Sequence, residues 1–230
     1  MSHSSLPLYI FYHFTFPFCI NTFFLYVLQS MILSVLESAV KIHTPAEVLV
    51  TKNGLISWLH RSVENLKDDV ESTHSTIGVI SSLWNTFSTS SESSRKKLMN
   101  TIHLPQHILL LSLKLIENCG VIKLPLPVLK KLVETLNGVI CFEKTKAMCS
   151  LIDLNNMEII VKFAKDSCGL VSDCEDLLLY GCKFAKLAKE CKAGTDYEQL
   201  VFHLRSFVIN WLQKMYNGQS PPPTLCTNTC

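Results

Sequence analysis

Apolar side chains recur with helical spacing along most of the sequence, from residue 22 to residue 216. Apolar residues at positions i, i+3, i+4 and i+7 line one face of an α-helix, whereas a half-buried strand alternates with a period of two. Glycine and proline fall between the apolar runs, where helices begin and end. The pattern therefore predicts roughly eight to ten helices, many of them consecutive pairs joined by short turns.

The segment Val40–Leu66 carries the clearest helix boundaries, and we expect the fold to be organised around it. Its sequence Thr-Pro-Ala-Glu is typical of a capping box, with Thr44 as the N-cap and Glu47 three residues later. The proline then occupies the first helical position, where its missing N–H costs nothing. The resulting short helix, Ala46–Thr51, should end before Gly54, because glycine readily adopts the left-handed conformation that closes helices.

The helix after this glycine presents one apolar face and one polar face. We expect Trp58 to lie in the core, because it shares the apolar face with aliphatic residues. That face comprises Leu55, Ile56, Trp58, Leu59, Val63 and Leu66.

The same spacing predicts further helices on both sides of this segment. One covers about Thr22–Val40, and another contains the apolar run Ile77–Phe87. The others are a short helix from Arg95 to near His103, the helices Gln106–Asn118, Leu124–Leu136 and Asn155–Asp166, a long helix to Lys192 after a second capping box at Ser172–Glu175, and Tyr197–Tyr216.

Three segments are predicted to lie outside helices. The serine run Ser88–Ser94 reads as an exposed loop. Asn137 and Gly138 should stop the preceding helix, and the short apolar run Val139–Phe142 after them fits a strand. Residues 218–230, with three consecutive prolines, are typical of a disordered tail.

These elements together predict an all-α fold. Its expected form is an irregular α-solenoid of stacked helical hairpins, of the armadillo or HEAT kind. No sequence motif recurs at a constant period, which is why the array is expected to be irregular. We assign residues 22–217 to the helical-repeat domain, residues 1–21 to an apolar leader outside the fold, and residues 218–230 to the tail.

The N-terminal stretch Leu6–Leu36 contains no charged residue and is long enough to span a bilayer, which takes roughly 20 apolar residues. Pro7 and Pro17 interrupt its first half, and no lysine or arginine precedes it to set an orientation. Two interpretations stay open: a membrane anchor at residues 6–36, or a buried first helix preceded by an apolar leader. We favour the second, because the helical pattern continues past Leu36 into charged sequence.

Charge and cysteine content narrow the class of protein. A formal net charge of +2 and a pI near 8.0 give no global attraction towards nucleic acid or acidic partners. Most of the ten cysteines lie in or beside apolar helical runs, where a reduced thiol behaves as a small apolar side chain. This usage is typical of a cytosolic or nuclear protein. Only the tail pair Cys226 and Cys230 is expected to be open to oxidation.

The sequence contains no motif for catalysis or cofactor binding. His103 and His107 are four residues apart, but Pro105 between them begins a helix and no third ligand follows at zinc spacing. Cys226 and Cys230 likewise have no second Cys or His pair close by. We therefore expect no enzyme, and no catalytic, cofactor-binding or metal-binding residue.

Two basic groups are the candidate contacts for RNA or a protein partner. Clustered basic side chains supply the sequence-independent part of nucleic-acid binding. The alternative is that they are the solvated faces of amphipathic helices. The candidate residues are Arg95, Lys96, Lys97, Lys130 and Lys131.

The stretch Phe23–Leu66 resembles the C-terminal region of the nucleolar pre-ribosomal-associated protein 1 family. The resemblance rests on a long apolar helix, the Thr-Pro-Ala-Glu helix start and the sequence Leu-Val-Thr-Lys-Asn-Gly-Leu-Ile-Ser-Trp-Leu. Extended, it would cover about Thr22–Tyr216, and residues 1–21 fit nothing in the family. The chain would then be the end of a much larger protein or a truncated gene product.

The resemblance implies a non-enzymatic, nucleolar or nuclear scaffold in early assembly of the large ribosomal subunit. Its expected partners are ribosome assembly factors and pre-ribosomal RNA. The alternative is a small membrane-anchored helical protein held by residues 6–36.

Overall fold

The computed structural model describes residues 22–66, 69–120, 123–142, 153–167, 169–191 and 195–215. These residues form ten α-helices and no β-strand, which confirms the all-α prediction for this part of the chain. The leader 1–21, the tail 218–230 and the tail cysteines lie outside the described residues. The helices are α1 Thr22–Val40, α2 His43–Thr51, α3 Leu55–Asn65, α4 Val70–Thr89, α5 Glu92–Ile102, α6 Leu104–Cys119, α7 Leu126–Phe142, α8 Leu154–Ser167, α9 Cys174–Cys191 and α10 Thr195–Met215.

Helix α4 is the centre of the described fold. It contacts α1 most extensively and also packs against α2, α3, α6 and α7. Every predicted apolar residue of this helix is buried, namely Ile77, Val79, Ile80, Leu83, Trp84 and Phe87. The expectation that Val40–Leu66 organises the fold is therefore wrong, since that segment packs around α4.

Small residues on α4 let its neighbours approach closely. A Cβ atom added to Gly78 would lie 2.9 Å from Cδ of Glu37 on α1, closer than real Cβ contacts allow. The hydroxyl of Thr135 on α7 donates to Ser81 Oγ at 3.0 Å inside the α4–α7 contact. The buried hydroxyl of Thr76 is satisfied by the carbonyl of Ser72 at 2.7 Å. Both of these buried hydroxyls therefore have a hydrogen-bond partner.

The helices contact one another in a regular order. Each of the first four contacts the helix three further along: α1 contacts α4, α2 contacts α5, α3 contacts α6 and α4 contacts α7. Helix α7 then contacts α9, and α6 contacts α8. The contacts thus form two series, one through α1, α4, α7 and α9 and one through α3, α6 and α8.

The predicted capping box at the start of α2 is wrong. The helix begins at His43, with Ile42 as a cap residue whose side chain makes no capping hydrogen bond. The carboxylate of Glu47 instead pairs with Lys97 of α5, a contact that needs two helices and leaves no local sequence signal. The predicted glycine boundary is confirmed, because Gly54 has φ 66° between α2 and α3.

The serine run is mostly helical. Helix α4 continues to Thr89 and α5 begins at Glu92, so only Ser90 and Ser91 separate them. Ser91 is the N-cap of α5 and accepts a hydrogen bond from the backbone N–H of Ser94 at 3.5 Å. The long exposed loop predicted for Ser88–Ser94 is therefore wrong, because serine is also a favoured helix-capping residue.

Helix α7 does not stop at Asn137 and Gly138. It continues to Phe142, so Val139–Phe142, the one short run whose sequence is also compatible with a strand, is helical. Gly138 lies against Trp84 of α4, where an added Cβ would be 3.0 Å from the ring atom Cε2. Asn137 Nδ2 donates to the backbone carbonyl of Asp173 at 3.1 Å. Both residues serve helix packing at positions where sequence alone suggests a turn.

Candidate functional site

The predicted basic residues of α5 each have a partner within the protein. Lys96 Nζ lies 2.7 Å from Oε1 of Glu92 on the same helix, and both side chains are well exposed. Lys97 pairs with Glu47 of α2. Arg95 Nη1 donates to the backbone carbonyl of Ser88 at 3.4 Å. Consecutive residues on a helix point about 100° apart, so these three side chains diverge.

The basic residues of α7 face a different carboxylate. Lys131 Nζ lies 3.7 Å from Oε1 of Glu37 on α1, and the same oxygen is 3.2 Å from Lys41. Lys130 is 4.0 Å from Glu134 of its own helix. The structure thus places the five predicted residues on two helices. It brings Lys131 to α1 and Lys97 to α2, with each pair joining neighbouring helices.

The hydrogen bond from Lys97 lowers the pKa of Glu47, which keeps this carboxylate charged at neutral pH. Burial acts in the opposite direction, and the charges of Lys97, His43 and Lys52 lower the pKa further. Ion pairs at exposed positions contribute little to stability, because water and salt screen the two charges. The lysines can therefore exchange these partners for another anion at small cost.

A pair of histidines forms the other chemically distinctive feature. His60 Nε2 on α3 lies 3.0 Å from His107 Nδ1 on α6. The ring centroids are 5.2 Å apart with an interplanar angle of 72°. The sequence shows His103 and His107 four residues apart, but His103 is an exposed residue with φ 47° at the start of α6. His107 instead meets a residue 47 positions earlier, and no local pattern indicates such a contact.

Both histidines favour the neutral state. Burial lowers the pKa of His60, and the charge of Glu64 partly opposes this effect. Burial also lowers the pKa of His107, helped by the neighbouring His60 and His103. At neutral pH one ring N–H donates to the unprotonated nitrogen of the other ring.

We expect the histidine pair to make stability pH-dependent. Both folded-state pKa values are lowered, so their contribution is complete above the unfolded value of about 6.5 and is lost as the pH falls below it. Urea unfolding at a series of pH values between about 5 and 8 measures this loss. In the double variant His60→Gln, His107→Gln the decline should become shallower. An unchanged pH profile in that variant would contradict the assignment.

The remaining features of the described part offer little room for chemistry. A crevice lined by residues of α2, α4, α5 and α6, including His43, Glu47 and Thr86, has a volume of about 10 Å³, enough for about one water. Burial raises the pKa of Cys182 to about 11, so this thiol is protonated and unreactive at neutral pH. Within the described ranges, no three His, Cys, Asp or Glu side chains are grouped so that they could hold a metal ion.

No family model matches the sequence, and no curated protein or solved structure is significantly similar to the chain. None of the helices in the described part of the chain is both long enough and apolar enough to cross a membrane.

Proposed function

We propose that this chain is a helical-repeat scaffold that holds assembly factors, and a segment of pre-ribosomal RNA, during early assembly of the large ribosomal subunit. It works by binding and not by catalysis, and it acts in the nucleolus. The resemblance of Phe23–Leu66 to the nucleolar pre-ribosomal-associated protein 1 family suggests the process. The order of helix contacts is the observation that supports a scaffold.

That order is the one expected for an irregular armadillo-like array. In such an array each repeat contacts only its neighbours, so a helix meets its equivalent one repeat later. A period of three helices fits the contacts of α1 with α4, α2 with α5, α3 with α6 and α4 with α7. Stacked repeats of this kind provide extended surfaces that bind other macromolecules.

Several residues of the resembling stretch support the packing of the helices. Gly54 provides the left-handed turn between α2 and α3, and Leu55 and Leu59 after it are fully buried. The exposed basic residues Lys96, Lys97 and Lys130 are the part of the surface suited to phosphate groups. Their carboxylate partners are also exposed or half-buried, so a phosphate can replace them.

We expect the α5 basic group to contact RNA phosphates. The triple variant Arg95→Gln, Lys96→Gln, Lys97→Gln should bind single-stranded RNA more weakly and with a smaller salt dependence. Each phosphate contact contributes about −0.7 to the slope of log K against log salt concentration for single strands, so the slope should change by about 0.7 for each of the three side chains that contacts a phosphate. Fluorescence anisotropy with a labelled RNA at several salt concentrations measures both quantities.

Lys114→Gln provides the matched control, because Lys114 is an exposed lysine on α6 that also has a carboxylate partner, Glu117, at 2.7 Å. This variant should leave the slope unchanged. The pair Lys130→Gln, Lys131→Gln tests the α7 group in the same way. An unchanged slope in both multiple variants would show that these residues are only the solvated faces of their helices.

Cell fractionation distinguishes the proposed role in ribosome assembly from the alternative of a membrane-anchored protein. A tagged full-length chain should enter the nucleolus and sediment with precursors of the large subunit. The alternative is a small helical protein anchored by residues 6–36, which carbonate extraction would leave in the membrane pellet. Recovery in that pellet would overturn the scaffold proposal.

A further inference from the structure

We propose that His60 and His107 bind a divalent transition-metal ion between α3 and α6. Imidazole nitrogen is a preferred ligand of Zn²⁺, Ni²⁺ and Cu²⁺. The site is independent of the proposed scaffold function and of the basic residues on α5 and α7.

The spacing of the two ring nitrogens fits adjacent ligands of one ion. Metal–nitrogen bonds are about 2.0–2.1 Å long, so two ligands at angles between 90° and 109° lie about 2.9–3.4 Å apart. The distance from His60 Nε2 to His107 Nδ1 is 3.0 Å. The ring planes are inclined at 72° with centroids 5.2 Å apart, so the two rings are not stacked and their facing nitrogens are the nearest polar atoms of the contact.

The surrounding helices hold this spacing in place. Leu59 and Val63 flank His60 on α3, and Ile108 follows His107 on α6; all three are fully buried or nearly so. Asn118 Nδ2 donates to the backbone carbonyl of Val63 at 2.8 Å and joins the same two helices one further time. Both histidines are half-buried, so an ion from solvent can reach them while the backbone positions stay fixed.

The protonation state also suits a metal ion. An imidazole must be neutral to bind metal, and both rings are held neutral by their surroundings at pH 7. One ring N–H now lies between the two nitrogens. On metal binding that proton moves to the other nitrogen of its own ring, so both facing nitrogens bind the ion and no net proton is released.

The other ligands would be water. In the described part of the chain no third His, Cys, Asp or Glu is placed to complete the site, although Glu64 is close enough to His60 to act on it electrostatically. A two-histidine site therefore stays open to solvent. The bound ion would link α3 to α6. It would stabilise the folded state, because it binds the folded chain in preference to the unfolded chain.

Calorimetric titration of the full-length chain with NiCl₂, after removal of metal with EDTA, tests the proposal. We expect one Ni²⁺ per chain to bind at pH 7.5 and the melting temperature to rise with Ni²⁺ concentration. His60→Gln and His107→Gln should each abolish this binding event and the rise. His103→Asn is the matched control, because it removes a neighbouring exposed histidine and asparagine tolerates the left-handed backbone at that position. Any Ni²⁺ that binds to cysteine thiols would still bind in all variants, so it can be distinguished from Ni²⁺ bound to the two histidines.

A measurement on the wild-type chain tests the same site without requiring that the variants fold. Paramagnetic Ni²⁺ should broaden the imidazole NMR signals of His60 and His107 before those of the other histidines. Equal broadening of all histidines, or equal Ni²⁺ affinity in wild type and both Gln variants, would overturn the proposal. The pair would then be a hydrogen-bonded contact only.

Discussion

A chain that begins at Lys41 is expected to aggregate or to melt far below the full-length chain. It lacks α1, whose buried residues Leu33, Leu36 and Val40 cover the central helix α4. Exposing each such aliphatic side chain costs about 1.5–3 kcal/mol, so the loss is on the order of 5–9 kcal/mol. Whole domains are stable by only about 5–15 kcal/mol. Circular dichroism during heating, together with sedimentation, measures the outcome.

Contacts other than apolar ones would be lost as well. Thr86 on α4 donates from Oγ1 to the backbone carbonyl of Val40 at 2.6 Å. Lys131 on α7 would lose Glu37. The close approach of α1 to Gly78 would become a gap on the surface of α4. These losses fall on the helix with the most neighbours, so the effect should extend beyond the N-terminal end of the fold.

A chain that begins at Asn21 is the control, because it removes the apolar leader and keeps α1 complete. It should remain soluble and unfold cooperatively. If the Lys41 and Asn21 chains melted at the same temperature, α1 would not belong to the core. The membrane anchor at residues 6–36 would then become the better interpretation of the N-terminal stretch.

The bounds of a helix can be predicted from the sequence where they depend only on its own apolar spacing and on the residue that ends it. The bounds Thr22–Val40 of α1 agree with the prediction, and Gly120 ends α6 with φ 68°. The prediction failed where a residue of turn type serves a tertiary contact. Gly138 lies within α7 because a side chain there would collide with Trp84 of another helix.

For the candidate sites, the sequence shows even less of the tertiary contacts. Sequence located the basic residues, but it did not show that Lys97 pairs with Glu47 or Lys131 with Glu37. The contact of His60 with His107 joins positions 47 apart, so it depends on how α3 packs against α6. The sequence thus shows which side chains are basic or titratable, whereas helix packing determines which residues they contact.

Trp58 illustrates the difference between membership of an apolar face and burial. The sequence predicts that Trp58 lies in the core, but its side chain is only partly buried and packs against the core from outside. Leu55, Leu59 and Val63 on the same helix are fully buried or nearly so. A helix face is wider than the contact it makes, so one residue at its margin stays half exposed.

Trp84→Ala should therefore cost much more than Trp58→Ala. Trp84 is 5% exposed, and its ring centroid lies 5.6 Å from those of Phe87 and Phe142. Removing a buried tryptophan costs about 3–5 kcal/mol, because the surrounding structure fills the cavity only partly. The half-buried Trp58 should cost about 1–2 kcal/mol, between a core and a surface substitution.

Urea unfolding followed by circular dichroism measures both losses and avoids dependence on tryptophan fluorescence. Trp84, Phe87 and Phe142 form an aromatic cluster that joins α4 to α7, since the ring centroids of Phe87 and Phe142 are also only 5.4 Å apart. Trp84→Phe keeps part of the ring volume and should recover part of the lost free energy. If Trp84→Ala instead cost no more than Trp58→Ala, the α4–α7 contact would contribute little to stability. The packing of Trp84 between α4 and α7 would then not be what holds these two helices together.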